Sequence, residues 1–283
     1  MSVPKRHHYV PQMLLRRFTN ARGKLYFFDK RVPEKGVLTS TPKNLFLEKH
    51  LYTRYDERGT KDVTLERDFA ALEGKANQVI EKIVTAARKG LTPGLTADEK
   101  ATWDQFFYYQ WKRAPDLHEK TSVFGDFENV IQEALAEFET TIRPLTDEER
   151  QSMQDRDVLA RIKQNAKVDA VADPGQEVQD VLGQKGLGVV IIPKTNKSFV
   201  IGSLPIVKLT QPGRTHLADP SVEAWLPIAS DVAVTPALSR NREKLVPINE
   251  DRHVRGINAA IFKQSTTTAG RSQALITSLA NRR

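Results

Sequence analysis

The residues best equipped for chemistry lie in a short basic segment near the start of the chain. His7, His8, Tyr9 and Gln12 lie within six positions, and the chain has six histidines in all. A neutral imidazole is a suitable general base near pH 7. Because neighbouring side chains of an extended segment point in opposite directions, we expect one histidine to be catalytic and the other to pack or to bond the backbone.

Arginine side chains lie close to these histidines in the sequence, at Arg6 and Arg16. A helix that begins after Pro11 places Gln12 and Arg16 four residues apart on one face. We therefore predict that Gln12 is a catalytic residue and that Arg6, Arg16 and Tyr9 bind the substrate.

A second pair of polar groups lies at the end of an aromatic helix. The capping box from Thr96 to Glu99 predicts the helix start, and a run rich in Trp, Phe and Tyr follows. Gln110 and Arg113 are three residues apart on this helix. They are either hydrogen-bonded structural groups or the floor of a polar pocket, and as a pocket floor they join the predicted catalytic set.

The residue types limit the chemistry. The chain has no cysteine, which excludes disulfides, thiolate nucleophiles and thiolate-bound zinc. The sequence has no compact Asp/Glu/Lys constellation of the kind that two-metal chemistry uses, so metal-independent chemistry is favoured. We assign no metal ligand and predict no cofactor. A divalent metal is still possible, because Glu66 and Glu73 with His7 or His8 could form a single-metal site.

Charge is spread unevenly along the chain. Residues 1–31 carry eight Lys or Arg against one Asp, a net charge of +7, and residues 240–283 carry nine against three acids, a net charge of +6. Since the whole chain has a net charge of +8, the intervening residues carry −5. Basic ends that meet in the fold would favour nucleic acid as a partner. The alternative is that these ends are only solvated.

The apolar pattern predicts an α+β fold. We expect a helix-rich body with small, mainly antiparallel sheets, forming one globular domain over residues 1–283. Apolar residues at three- and four-residue steps predict a helix over 63–88 and another over 118–141, which includes Phe124. A second capping box, Thr146 to Glu149, predicts the start of a further helix. Strands are predicted at 25–29, 36–39 and 50–55 in one small sheet, and a hairpin at 189–202. The charged segment 143–185 is expected to be a peripheral helical insert or a surface for a protein partner. No stretch is long and apolar enough for a membrane span, so we expect a soluble cytoplasmic protein without membrane association.

The segment His-His-Tyr-Val-Pro-Gln at residues 7–12 resembles the opening signature of domain-of-unknown-function family 4238, a group of mainly bacterial proteins. Similar short motifs follow in the order of the family along nearly the whole chain: Leu25 to Asp29, Pro42-Lys43-Asn44, Glu48 to Tyr52, Leu65-Glu66 with Leu72-Glu73, Gln110 to Pro115, Gly202 to Pro205, Leu226-Pro227-Ile228 and Val254 to Asn258. The chain departs from the family at Ser203, where the family pattern has an acid.

This resemblance implies an association with bacterial defence or toxin-like systems, and nuclease activity. Three polar residues of the shared motifs, Asn44, Ser203 and Asn258, are added to the predicted substrate-binding set, although Asn44 can also cap a turn. We therefore predict a nuclease that cleaves RNA or DNA, with an N-terminal histidine as general base and an arginine as phosphate clamp. The alternative is a non-catalytic module that binds nucleic acid or a protein partner.

Overall fold

Short strands at the start, helices in the middle and strands towards the end make up the fold. A computed structural model describes residues 5–119, 125–209, 217–219, 222–237 and 242–281. The helices are α1 (Gln12–Leu15), α2 (Thr64–Arg88), α3 (Ala97–Lys112), α4 (Pro115–Glu119), α5 (Phe127–Thr141), α6 (Asp147–Ser152), α7 (Arg156–Ala172), α8 (Gln176–Gly183), α9 (Asp251–Gln264) and α10 (Gln273–Ala280). The strands are β1 (Arg6–His8), β2 (Leu25–Asp29), β3 (Leu38–Ser40), β4 (Leu47–Lys49), β5 (Arg54–Tyr55), β6 (Lys61–Asp62), β7 (Gly186–Ile191), β8 (Ile201–Gly202), β9 (Val207–Leu209), β10 (Glu223–Pro227), β11 (Val232–Ala237), β12 (Glu243–Pro247) and β13 (Thr267–Gly270).

Helices α2 and α3 form the centre of the fold. Apolar residues at three- and four-residue steps give α2 one buried face, and α3 begins at the predicted capping box of Thr96 and Glu99. Ile80 of α2 and Trp103 of α3 belong to one hydrophobic core with Val189 of β7. The prediction of one helix-rich α+β body is therefore confirmed.

The sheets are small and mainly antiparallel, as predicted. A five-stranded sheet has the order β12-β7-β11-β10-β9, in which only the β12–β7 pair is parallel. A four-stranded antiparallel sheet has the order β3-β2-β13-β8 and joins the N-terminal strands to late ones. Strand β1 pairs with β4, with His7 opposite Glu48. This pairing fixes the direction of the histidine side chains.

The predicted strand at 50–55 is wrong in its partners. Residues 54–55 pair with β6 in a separate two-stranded sheet, and β4 pairs with β1 instead of joining β2 and β3. Phe46 and His50 have φ of 55° and 57°, which turns the chain on both sides of β4. Such conformations are uncommon for these residue types, so the extended pattern did not predict them.

The predicted hairpin at 189–202 is also wrong, because its two arms lie in different sheets. The second arm is held away from β7 by other acceptors: Phe199 N–H donates to the carbonyl of Ser230 at 2.8 Å, and Val200 N–H donates to Asn258 Oδ1 at 3.0 Å. A side chain from α9 thus takes the place of a strand partner.

The charged segment 143–185 contains α6, α7 and α8. Helix α7 is attached to the body, since Gln164 Nε2 donates to the carbonyls of His50, Leu51 and Thr53 at 3.1 Å each. Its use as a partner surface stays a prediction. Phe124, which the sequence pattern placed on a long helix over 118–141, lies outside the described residues. Within the described part of the chain, no helix combines the length and apolar character needed to cross a membrane.

Candidate functional site

A cavity of about 310 Å³ lies between the N-terminal segment and α2. One stripe of α2, at steps of three and four residues, forms a wall of it: Glu66, Ala70, Glu73 and Asn77. The opposite side is lined by His8, Gln12 and Met13. The structure therefore brings one imidazole, two carboxyls and two amides to a single cavity.

The environment of His8 in this cavity favours the neutral form of its ring. Burial disfavours the charged ring and lowers the pKa of His8 below 6.5, although the carbonyl of Pro42 and the charge of Glu73 act in the opposite direction. His8 Nε2 lies 3.2 Å from the Pro42 carbonyl oxygen. Because a carbonyl only accepts, the ring proton is on Nε2, and Nδ1 carries the lone pair that can take a proton.

Glu66 is a carboxyl that binds a proton near neutral pH. Its side chain is 24% exposed, and burial, together with the nearby charge of Glu73, raises the pKa of Glu66 to about 7. The guanidinium of Arg113 opposes this shift but is outweighed. A base and an acid with pKa values moved in these directions are typical of a general acid–base pair.

His7 is buried and serves the fold. Its Nδ1 accepts the backbone N–H of Tyr52 at 3.0 Å, and its ring stacks on the Tyr52 ring with centroids 5.7 Å apart. Glu66 Oε2 lies 3.9 Å from the same nitrogen. Because Nδ1 accepts the N–H of Tyr52, it carries no proton to donate to Glu66. We therefore interpret His7 and Glu66 as neighbours that do not form an ion pair. The two side chains therefore lie on opposite sides of β1, as strand alternation predicts: His7 is buried and His8 lines the cavity.

Gln110 and Arg113 lie beneath the cavity. Arg113 is 2% exposed, and its Nη1 donates to Glu73 Oε1 at 2.7 Å. With the Gln110 amide oxygen turned towards it, Arg113 donates to that oxygen from Nε at 3.0 Å and from Nη2 at 2.6 Å. This burial is not compatible with a direct phosphate contact by Arg113, or with a direct substrate contact by Gln110. Arg113 bonds the carboxylate of Glu73 and acts on Glu66 through its charge, and Gln110 holds Arg113 in this position.

Two cations of the N-terminal segment that the sequence assigned to the substrate are exposed. Arg6 is exposed, donates to Asn44 Oδ1 at 3.0 Å, and affects the pKa of His8 through its charge. Arg16 is also exposed and directly follows α1, the helix that carries Gln12. Arg6, Asn44 and Arg16 are thus accessible to a ligand, as their predicted role requires.

Tyr9 and Ser203 are both buried, and Asp116 bonds Ser203 and acts on Tyr9 through its charge. Tyr9 packs edge-on against Phe46, and burial, with the charge of Asp116, raises the pKa of its phenol. Ser203 Oγ donates to Asp116 Oδ2 at 2.5 Å, and Thr267 N–H donates back to Ser203 Oγ at 3.1 Å. Neither Tyr9 nor Ser203 lines the cavity of His8. Their substrate-binding role stays a prediction without support from this geometry.

Asn258 is placed away from His8. It lines a different cavity, between α9 and α10, and its amide bonds the backbone of residues 198 and 200. The structure therefore separates it from the histidines with which it was grouped on sequence grounds.

Glu66 and Glu73 were considered from the sequence only as ligands of a single metal ion. Their spacing of seven residues on an amphipathic helix, next to the buried face, is the signal that assigns both to one wall. Among the described residues, no group of three or more His, Asp or Glu side chains is arranged to hold a metal ion.

Comparison with known proteins identifies a family. The model of the family described as Protein of unknown function (DUF4238) matches residues 6–273, so the chain belongs to this family. No curated protein and no solved structure matches the chain.

Proposed function

We propose that this member of the DUF4238 family is a nuclease that cleaves RNA by general acid–base catalysis, with His8 as the base and Glu66 as the acid. The observation that carries the proposal is that the His8 imidazole and the Glu66 carboxyl line one cavity, where burial lowers the pKa of His8 and raises the pKa of Glu66 to about 7. A ribonuclease of this type needs a base, an acid and donors for the phosphoryl oxygens.

In the proposed step, His8 Nδ1 takes the proton of a ribose 2′-hydroxyl, and the resulting oxygen attacks the adjacent phosphorus. The bond from phosphorus to the 5′-oxygen breaks, and the Glu66 carboxyl gives its proton to that oxygen. The products are a 2′,3′-cyclic phosphate and a free 5′-hydroxyl. After this step His8 is protonated and Glu66 is ionised. Transfer of a proton from His8 to Glu66 through water restores both groups.

The charges of the cavity are compatible with a phosphodiester. Glu73 is paired with Arg113 at 2.7 Å, and Glu66 binds a proton below about pH 7, so neither presents a full negative charge there. Exposed Arg6 and Arg16 are the phosphate contacts in this proposal, in place of Arg113. Gln12 orients the substrate through its amide. Membership of a bacterial defence or toxin-like system is part of the same proposal and rests on the sequence resemblance.

The test is incubation of the purified chain with RNA, single-stranded DNA and duplex DNA, each with Mg²⁺ and with a chelator. We expect cleavage of RNA alone, products that end in a 2′,3′-cyclic phosphate, and activity that persists in the chelator, because attack by the 2′-hydroxyl is available only in RNA.

Cleavage of DNA that stops in the chelator would contradict the assignment of His8 and Glu66 and would point to a metal held by the two glutamates. Binding of nucleic acid without any cleavage, lost steeply as salt is raised, would instead establish the non-catalytic alternative.

A further inference from the structure

A second cavity, of about 390 Å³, lies between the turn at 196–198, α9 and α10. None of its lining residues belongs to the cavity of His8. Its volume is within the range of pockets for small organic ligands, roughly 300–1,000 Å³. It therefore has the size of an independent binding site.

Positive charge is concentrated around Asp251, one of the residues that line this cavity. Three cations surround the single carboxylate of Asp251: Lys197 Nζ is 2.9 Å from Oδ2, Lys194 Nζ is 3.2 Å from Oδ1, and Arg255 Nη2 is 3.9 Å from Oδ2. One carboxylate balances only one of the three charges, which leaves an excess of two. All three side chains are at least 32% exposed, so a ligand can reach them.

The interior of the cavity is partly polar and partly apolar. Ser272 and Ser278 contribute hydroxyls, while Val254, Leu275 and Leu279 form an apolar floor. Ser272 also caps α10, whose positive N-terminal end adds to the field of the cations. A ligand that fits this cavity has an anionic group near the cations and a carbon-rich group against the apolar residues.

The amide of Asn258 holds the two sides of the cavity together. It accepts from Val200 N–H at 3.0 Å and donates to the carbonyl of Ser198 at 2.9 Å. These bonds fix the turn that carries Lys197 against α9, which carries Arg255. The segment from Val254 to Asn258, one of the motifs shared with the family, thus builds this second cavity.

We propose that the cavity binds a small phosphomonoester, with Lys197 and Arg255 on the phosphate and the apolar floor beneath the organic part. A phosphate dianion balances the two excess positive charges, and lysine and arginine are the side chains that bind phosphate most often. The proposal is independent of the nuclease assignment.

Isothermal titration calorimetry of the full chain with adenosine 5′-monophosphate and with adenosine tests this site. We expect the monophosphate to bind and adenosine to bind at least about tenfold more weakly, because the charged hydrogen bonds are lost. Lys197→Ala and Arg255→Ala should each weaken binding of the monophosphate about tenfold. Asp251→Asn should strengthen it, because the competing carboxylate is removed.

Two control variants show whether the monophosphate binds in this cavity. Lys35→Ala, which removes an exposed lysine from another part of the chain, should leave the affinity unchanged. His8→Ala should also leave it unchanged, which distinguishes this site from a nucleotide bound in the proposed catalytic cavity. No heat with the monophosphate, or equal affinity in the wild type and both cation variants, would overturn the proposal.

Discussion

His8→Ala is expected to reduce the rate of RNA cleavage on the order of 100- to 10,000-fold, the usual contribution of a general base. The reason is that His8 lines the cavity and its Nε2 is committed to the carbonyl of Pro42, so Nδ1 is the nitrogen that takes the proton in the proposed step. The measurement is kcat/KM on an RNA substrate, with circular dichroism to show that the fold is retained.

Two other histidines give the controls for this prediction. His253→Ala removes an exposed imidazole from α9 and should leave the rate unchanged. His7→Ala should act on the fold instead, because it leaves the buried N–H of Tyr52 without its acceptor, at a cost of about 1–3 kcal/mol. A His8→Ala variant as active as the wild type would contradict the catalytic assignment.

Arg113→Ala is expected to lower the free energy of unfolding by about 3–5 kcal/mol, because it leaves Glu73 without its buried partner. The guanidinium also lies 5.1 Å from the centre of the Phe69 ring and donates to Gln110, so its removal affects several neighbours. Urea unfolding followed by tryptophan fluorescence measures the change. Should this variant not fold, Arg113→Lys, which keeps the charge but loses the paired hydrogen bonds, should show a smaller loss of the same sign.

The matched control is the exposed ion pair between Arg54 and Asp169, with side chains 53% and 50% exposed and a separation of 2.9 Å. Arg54→Ala should change the free energy of unfolding by less than about 1 kcal/mol, since solvent screens this pair. Equal losses in Arg113→Ala and Arg54→Ala would show that Arg113 is not a buried anchor of the fold.

Local signals allowed the helices to be predicted from the sequence. The capping boxes at Thr96 and Thr146 both form as expected, with each hydroxyl accepting the backbone N–H three residues later. The apolar period of 63–88 gave α2 to within one residue at its start. Because these signals depend only on residues close together in the sequence, they are sufficient to predict the helices.

The sheets depend on distant partners, and there the sequence was insufficient. Strand β13 consists of Thr267, Thr268, Ala269 and Gly270, a run without a strong strand pattern, and it is a strand because β2 and β8 pair with its two sides. The predicted hairpin at 189–202 is wrong for the same reason: the N–H of Val200 donates to Asn258 of α9 and not to a neighbouring strand.

The sequence analysis named the polar residues that the N-terminal segment contributes to the cavity, His8 and Gln12. It did not predict the burial of Arg113 or Glu66 as a candidate acid. The pairing of β1 with β4 decides that His8 lines the cavity and that His7 is buried, and that pairing requires the turns at Phe46 and His50. The burial of Arg113 follows from contacts with α2 that the aromatic stripe alone does not specify. Glu66 becomes a candidate acid only when its burial and the nearby charge of Glu73 are known.

The central claim is that His8 and Glu66 are a base and an acid in one cavity, and the pH dependence of kcat/KM for RNA cleavage tests it most directly. Below its pKa, which lies under 6.5, His8 is protonated and cannot accept; above about pH 7, Glu66 is ionised and cannot donate. We predict a bell-shaped profile whose alkaline limb falls through about pH 7, and a slower Glu66→Gln variant that lacks this limb. An alkaline limb that stays near pH 7 in Glu66→Gln would contradict the account.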